Sequence, residues 1–118
     1  MLFIKIGVIG SRTIKSVALE NYLPKKIDVI ISGGAQGVDF CAKEFALKNK
    51  IAFLEFLPQY SIYKKGAPNK RNKQIADASD VVFAFWDGKS RGTKSMIEYC
   101  KAQNKEIQIF LLNDKKTD

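Results

Sequence analysis

Residues 80–93, DVVFAFWDGKSRGT, combine an unbroken apolar run with a loop of small, polar and charged residues. Residues 80–86 predict a strand that is buried on both faces of a sheet, because the apolar side chains do not alternate with polar ones. Residues 93–103 follow the loop with apolar side chains at helical spacing. A buried strand that leads into a helix is the repeating unit of a parallel α/β sheet.

The same unit recurs along the rest of the chain. Residues 3–9, 28–31, 51–57 and 106–112 predict four further strands, and residues 13–23, 37–48 and 69–78 predict three further helices. Residues 58–68 are predicted as a loop. This order predicts an α/β fold, a single doubly wound Rossmann-like domain over residues 1–113 with a polar tail at 114–118. Its sheet is expected to be five-stranded and mostly parallel, with helices on both faces.

Length and composition favour one globular domain without a membrane span. The chain has 118 residues, of which 46% are hydrophobic and 27% charged, values that argue against disorder. No stretch approaches the roughly 20 apolar residues that a spanning helix needs. No basic region precedes the short apolar N-terminal stretch, so a signal peptide is not expected and the cytoplasm is the expected compartment.

The charge balance favours an anionic partner. Lysine and arginine number 20 against 12 aspartates and glutamates, which gives a formal net charge of +8. Such a balance suits nucleotides or nucleic acid, although solubility alone explains it equally well. The chain contains no histidine, and Cys41 and Cys100 do not form a CxxC motif, so no metal site is predicted.

Three of the four predicted strand-to-helix turns carry glycine together with hydroxyl or basic residues. They read GSRT at residues 10–13, SGGAQGVD at 32–39 and DGKSRGT at 87–93. In doubly wound folds, ligands bind beyond the carboxyl ends of the strands, where helix N-termini favour anions. Each turn alone is explained as an ordinary turn and helix cap, but the three together predict a phosphate-bearing ligand.

Two standard nucleotide motifs are missing from these turns. The chain has no GxxxxGK[ST] sequence, and residues 7–12 read GVIGSR rather than GxGxxG. Ser32 stands at the end of the second strand, where an acidic residue would hold an adenine ribose. A conventional NAD dehydrogenase is therefore not expected.

The segment from Phe56 to Ala76 contains no acidic residue. Its basic and aromatic residues are Lys64, Lys65, Lys70, Arg71, Lys73, Tyr60 and Tyr63. Their mixture fits phosphate contact with base stacking, although a solvated loop beside an amphipathic helix explains it equally well. Arg71 opens the predicted helix, where a cation gains nothing from the helix dipole, so an anionic partner is expected. Asn72 is expected to bridge loops by hydrogen bonding.

The motifs at residues 7–12, 31–39 and 80–93, together with Arg71-Asn72, resemble the SLOG superfamily. This superfamily joins the Smf/DprA DNA-processing proteins and the lonely-guy cytokinin-activating enzymes. The chain is most similar to the small, stand-alone bacterial and phage branch related to YspA, from about Lys5 to Ile109. The resemblance implies a Rossmann-like fold, a bound nucleotide or nucleotide-derived ligand, and a homodimer.

The two named relatives imply different functions. The lonely-guy enzymes cleave the N-glycosidic bond of nucleoside monophosphates, and Arg71 and Gly92-Thr93 match their pattern. Their glutamate position is Met96 here, and Glu98 lies about 140° around the helix from Thr93, so this activity is disfavoured. The DprA-like proteins share the Ser-Gly-Gly turn and the Arg-Asn pair, and they imply single-stranded nucleic-acid binding as the alternative.

The predicted site joins the three turns with the Arg-Asn pair. The candidate ligand-binding residues are Gly10, Ser11, Arg12, Ser32, Gly33, Gly34, Gly37, Arg71, Asn72, Trp86, Asp87, Ser90, Arg91, Gly92 and Thr93. Asp39 and Asp87 are the candidates for a catalytic role, by binding a ribose hydroxyl or acting as a base, although capping and turn formation also explain them. Trp86 is expected either to stack on a base or to pack at the edge of the core. The expected bound group is a nucleotide or phosphate.

Overall fold

The computed structural model describes residues 3–112, so the predicted tail at 114–118 lies outside the described residues. The strands are β1 (Lys5–Gly10), β2 (Val29–Ser32), β3 (Ala52–Glu55), β4 (Val81–Trp86) and β5 (Glu106–Leu111). The α-helices are α1 (Val38–Lys48), α2 (Tyr60–Tyr63), α3 (Ala67–Ala78) and α4 (Arg91–Ala102). In this part of the chain, no helix has the length and apolar character that crossing a membrane requires.

The five strands form one sheet in the order β3-β2-β1-β4-β5. Every neighbouring pair is parallel, which confirms the predicted α/β class and corrects "mostly parallel" to all-parallel among the described strands. The chain winds outward from β1 to β3 and then returns to β4 on the other side of β1. The switch in strand order therefore lies between β1 and β4, where ligand crevices form in such sheets.

Two apolar clusters cover the two faces of the sheet. On the first face, α1 packs through Val38, Ala42 and Ala46 against side chains of β1, β2 and β4. On the second face, α3 and α4 pack against the opposite side chains of the same strands. The predicted placement of helices on both faces is confirmed. Because helices cover both faces of the sheet, the strands are apolar on both sides and read as continuous apolar runs.

The predicted helix at residues 13–23 is wrong. Only a 3₁₀ turn, Leu19–Asn21, forms in this segment, and the remainder is irregular. Ile14, Leu19 and Leu23 are still buried in the first cluster, so the apolar spacing reflects core contacts rather than a helix. Tertiary packing therefore overrides the helix propensity of this segment.

The region between β3 and β4 also differs from its prediction. The predicted loop at 58–68 contains α2 and a 3₁₀ turn, Lys64–Gly66, and α3 begins at Ala67 instead of Asn69. Pro68 lies in the first turn of α3, where its missing N–H costs nothing. Arg71 therefore lies beyond the first turn of α3, so the dipole argument made for it as a helix-opening residue does not hold.

Candidate functional site

A cavity of about 460 Å³ opens at the carboxyl ends of β1 and β4. Its walls come from the loops after β1, β2 and β4 and from the first two turns of α3. The predicted residues that line it are Gly10, Arg12, Asp39, Arg71, Asn72, Asp87, Ser90, Gly92 and Thr93. The three separate turns therefore meet at one end of the sheet, as their positions after parallel strands require.

The Asp87 carboxylate organises the corner between β1 and β4. Its Oδ2 accepts a hydrogen bond from Thr13 Oγ1 at 2.6 Å, and its Oδ1 accepts from the backbone N–H groups of Ser90 and Lys89 at 2.7 and 2.8 Å. The bond from Thr13, followed by those from the loop after β4, lowers the pKa of Asp87 to about 2. A carboxylate this acidic is a poor general base near neutral pH, so its geometry favours loop organisation.

Ser11 holds the β1 and β4 loops together from within. It is 2% exposed, and its backbone N–H donates to Phe85 O at 2.9 Å. Its Oγ accepts from the Asp87 backbone N–H at 3.1 Å and lies 3.2 Å from Thr93 Oγ1. Ser11 was a predicted ligand contact, but the structure places it behind the cavity wall as a positioning residue.

The N-terminus of α4 faces the cavity through Ser90, Gly92 and Thr93. Ser90 is the N-cap, and its Oγ accepts from the Thr93 N–H at 3.5 Å. The N–H groups at the first positions of a helix have no partner within the helix, so those of Arg91 and Gly92 are available to an anion. A side chain added at Gly92 would meet open space, which shows that the first turn of α4 is accessible there.

The Asp39 carboxylate organises the opposite corner, between β2 and α1. Its Oδ2 accepts from the Ala35 N–H at 3.1 Å, and Ser32 Oγ lies 3.0 Å from its Oδ1 and 2.6 Å from Val8 O. Burial raises the pKa of Asp39, and this effect outweighs the Ala35 hydrogen bond and the nearby Arg71 charge. Asp39 lines the cavity while only 8% exposed, whereas Ser32 is fully buried and acts as its support.

Arg71 reaches the same corner from α3. It is 8% exposed, yet it lines the cavity. Its Nε donates to Asn72 Oδ1 at 3.0 Å and its Nη1 donates to Phe56 O at 3.4 Å. Burial lowers the pKa of Arg71, and Asp39 opposes that shift. The guanidinium has five N–H donors, so these two hydrogen bonds leave donors for a ligand.

Gly33 provides the space in which these two charges approach each other. A Cβ at this position would overlap Arg71 Nη1 and lie 2.8 Å from Asp39 Oδ2. Gly37 has a φ of +79°, a conformation that side chains disfavour, and it precedes the first residue of α1. Neither glycine lines the cavity, so both act by shaping the loop after β2, as does Gly34 beside Leu57.

Besides the residues already described, Trp86 and Arg91 also lie outside the cavity lining. The Trp86 indole N–H donates to Ser90 O at 3.1 Å, and its ring packs against the second core cluster. This arrangement fits the core-edge alternative and leaves the ring away from the cavity. Arg91 is exposed at the first position of α4.

Six residues that line the cavity are absent from the candidate residues of the sequence analysis. They are Ile9, Thr13, Ala35, Pro68, Asn69 and Lys89. Thr13 and Lys89 stand inside two of the turns that were singled out. Asn69 lies three residues before Asn72, so the spacing of a helix face could have found it once α3 was known to begin earlier.

Comparisons of the chain with protein-family models, curated proteins and solved structures give no significant match. The resemblance to the SLOG superfamily therefore stays a prediction. The site is a partly enclosed cavity with cations at Arg12, Arg71 and Lys89, a helix N-terminus, and the carboxylates Asp39 and Asp87. Within residues 3–112, no group of three or more Cys, Asp or Glu side chains is placed to hold a metal ion.

Proposed function

We propose that the chain binds a nucleotide or nucleotide-derived ligand in the cavity at the carboxyl ends of β1 and β4. The observation that carries this proposal is Arg71, a buried guanidinium that lines the cavity with N–H donors to spare. Burying a cation is costly unless it has a partner. An anionic ligand would supply a second partner in addition to Asp39 and would repay part of that cost.

The phosphate is the part of the ligand that the cavity explains best. Arg12 and Lys89 line the walls from the β1 and β4 loops, and Arg71 lines them from α3. The first N–H groups of α4 and its dipole add a second, independent attraction for an anion. Charge-assisted hydrogen bonds of this kind are the strongest that a neutral-pH site offers.

The remainder of the cavity suits the sugar. Its volume of about 460 Å³ lies within the usual range of small-molecule sites. Asp39 and the Asn72 amide are the polar groups available for ribose hydroxyls. This binding function agrees with the ligand that the SLOG resemblance implies, and we propose membership of that superfamily with a role as a sensor or sequestering protein, or as a weak nucleotide-processing enzyme.

Calorimetric titration of the full chain with AMP, GMP and inorganic phosphate tests the proposal. We expect the nucleotides to bind and to raise the melting temperature, because a ligand of the folded state alone stabilises it. Arg71→Met keeps the buried aliphatic volume but removes the charge, and it should weaken binding about 10- to 100-fold. Lys101→Met removes an exposed cation from the far end of α4 and is the matched control.

Two results would count against the proposal. One is the absence of binding by both nucleotides. The other is an equal loss of affinity in Arg71→Met and Lys101→Met, which would assign the binding to net charge rather than to the cavity.

Single-stranded nucleic-acid binding is the second candidate, and a separate surface favours it. Lys70 Nζ on α3 lies 5.5 Å from the ring centroid of Tyr63 on α2. Cations beside partly exposed rings suit phosphate contact with base stacking. Oligonucleotide affinity that falls steeply with salt and is lowered by Tyr63→Ala, with AMP affinity unchanged, would assign this function to the α2–α3 surface.

Cleavage of an N-glycosidic bond gains no support from the site. Met96, which stands at the glutamate position of the lonely-guy pattern, is 2% exposed in the second core cluster. Glu98 is exposed and does not line the cavity at the strand ends. We expect no free base to be released from AMP, and chromatography of an overnight incubation checks this directly.

A further inference from the structure

A second depression adjoins the nucleotide cavity and is not used by the function proposed above. It is a groove of about 350 Å³ between α3 and α4. Its lining residues are Asn69, Asn72, Lys73, Ser95, Met96, Glu98 and Tyr99. We call it the α3–α4 groove.

The groove lies next to the cavity. Asn69 and Asn72 line both of them, and these residues occupy positions i and i+3 on one face of α3. Asn72 Oδ1 is held by Arg71 Nε at 3.0 Å, which leaves the amide nitrogen of Asn72 as a donor at the junction. A ligand that leaves the cavity past these two amides enters the groove.

The far end of the groove is built around one aromatic ring. Tyr99 Oη donates to Asp77 Oδ1 at 2.8 Å, a bond that ties α4 to α3 and fixes the phenol. Lys73 Nζ lies 5.5 Å from the ring centroid. Met96 lines the groove while only 2% exposed. The partly exposed Tyr99 ring, held by this hydrogen bond, is a surface on which a planar base can pack.

The polar groups of the groove match a sugar. Glu98 is an exposed carboxylate that lines the groove, and Ser95 adds a hydroxyl on the same helix. A carboxylate accepts hydrogen bonds from two adjacent ribose hydroxyls, and Lys73 supplies a cation for a second phosphate. The cavity and the groove thus offer matching features: cations, ribose partners and room for a nucleoside.

We propose that the α3–α4 groove is a second subsite of the same ligand site, and that the ligand is a dinucleotide, two nucleosides joined by a pyrophosphate. This inference rests on the proposed function, because it places the first nucleoside and its phosphate in the cavity. The second phosphate then passes between Asn69 and Asn72, and the second nucleoside lies against Tyr99 and Glu98.

Calorimetry of the full chain with AMP and with diadenosine diphosphate tests the inference. We expect the dinucleotide to bind about tenfold or more tightly than AMP, because the groove adds a stacked base. Ser95→Trp fills the groove from an exposed position on α4 and should abolish this difference, leaving the dinucleotide no tighter than AMP. Lys101→Trp places the same bulk elsewhere on α4 and should leave the difference in place.

A second pair of variants separates the ring from its hydrogen bond. Tyr99→Phe keeps the ring and should retain most of the dinucleotide preference, whereas Tyr99→Ala should lose it. Equal affinity for AMP and the dinucleotide in the native chain overturns the inference, while AMP binding that depends on Arg71 still supports the proposed function. If neither AMP nor diadenosine diphosphate binds, both the inference and the proposed function are overturned.

The linkage of the two nucleosides is tested separately. The 3′,5′-linked dinucleotide pApA carries two bases but no pyrophosphate. Binding of pApA as tightly as diadenosine diphosphate would assign the groove to a nucleic-acid strand and overturn the dinucleotide assignment. Binding of pApA no tighter than AMP supports it.

Discussion

Two aspartates at the same end of one sheet behave in opposite ways. Asp87 follows β4 in a loop that reaches solvent, and hydrogen bonds from Thr13 and the loop lower its pKa to about 2. Asp39 lies in the first turn of α1, and burial raises its pKa despite a hydrogen bond from Ala35 and the charge of Arg71. The residue type and the position relative to the sheet are alike, so the difference comes from burial and from the number of donors.

The difference assigns separate tasks to the two corners of the cavity. At the Asp87 corner, the carboxylate already accepts hydrogen bonds from the protein's own donors, and it holds the β1 and β4 loops in place. The Asp39 corner is less fully compensated, because burial shifts the pKa of both Asp39 and Arg71 towards the neutral form despite their mutual attraction. An arriving anion changes the electrostatics of the second corner far more than those of the first.

Gly33→Ala is expected to have the largest effect on the Asp39 corner. The added Cβ would overlap Arg71 Nη1 and crowd Asp39 Oδ2, so the two charged groups must separate. We expect a loss of about 1–3 kcal/mol in the free energy of unfolding from overpacking. Nucleotide affinity should fall about tenfold or more, because Arg71 must leave its position. Urea unfolding measures the loss of stability, and calorimetry measures the loss of affinity.

Gly66→Ala is the matched control for this prediction. Gly66 precedes α3 with a φ of −81°, and a Cβ there would meet nothing within 4 Å. Its stability and nucleotide affinity should stay close to those of the native chain. Native affinity in Gly33→Ala would show that the cavity does not depend on the contact between Arg71 and the β2 loop.

The sequence predicts the fold, and the fold in turn explains why the two corners lie at the same end of the sheet. Continuous apolar strands separated by helices require a parallel sheet, and parallel strands bring the three glycine-bearing turns to one edge. The helix predicted at 13–23 does not form, because the apolar residues Ile14, Leu19 and Leu23 contact the core without lying on one face of a helix. Apolar spacing alone does not distinguish these two causes in a short segment.

The site was harder to predict residue by residue. Serines in such turns look equivalent in the sequence, but Ser11 and Ser32 turn inward to hold Asp87 and Asp39, while Ser90 lines the cavity. The contrast between the two aspartates was also hidden, because it depends on burial and on donors from distant loops. Those quantities exist only once the chain is folded.

The pH dependence of stability sharpens the contrast between the aspartates. Asp87 has a lowered pKa, so its contribution is complete above about pH 4 and is lost as the pH falls towards about 2. Asp39 has a raised pKa, so the folded state holds its proton longer, and its contribution falls as the pH rises above about 4. Urea unfolding of Asp87→Asn and Asp39→Asn from about pH 2 to about pH 7 measures both.

The two variants should change the pH profile in opposite senses. In Asp87→Asn, the free energy of unfolding should no longer decline on the acid side. At neutral pH it should be about 1 kcal/mol lower than in the native chain, because the hydrogen bonds from Thr13 and the loop are weakened. In Asp39→Asn, the free energy of unfolding should instead no longer decline as the pH rises towards neutral. Parallel profiles for the two variants would mean that burial does not distinguish the two carboxylates.

Trp86→Phe is the smallest of these changes, and it tests whether the Asp87 corner also contacts the base. The indole N–H donates to Ser90 O at 3.1 Å, so the substitution removes one hydrogen bond from the loop that Asp87 organises. We expect a stability loss of about 0.5–1.5 kcal/mol with nucleotide affinity within about twofold of the native value, since Trp86 does not line the cavity. Urea unfolding and calorimetry measure the two effects on the same sample. A fall of about tenfold in affinity with stability unchanged would instead place the ring against the ligand, and the β4 corner would then bind as well as position.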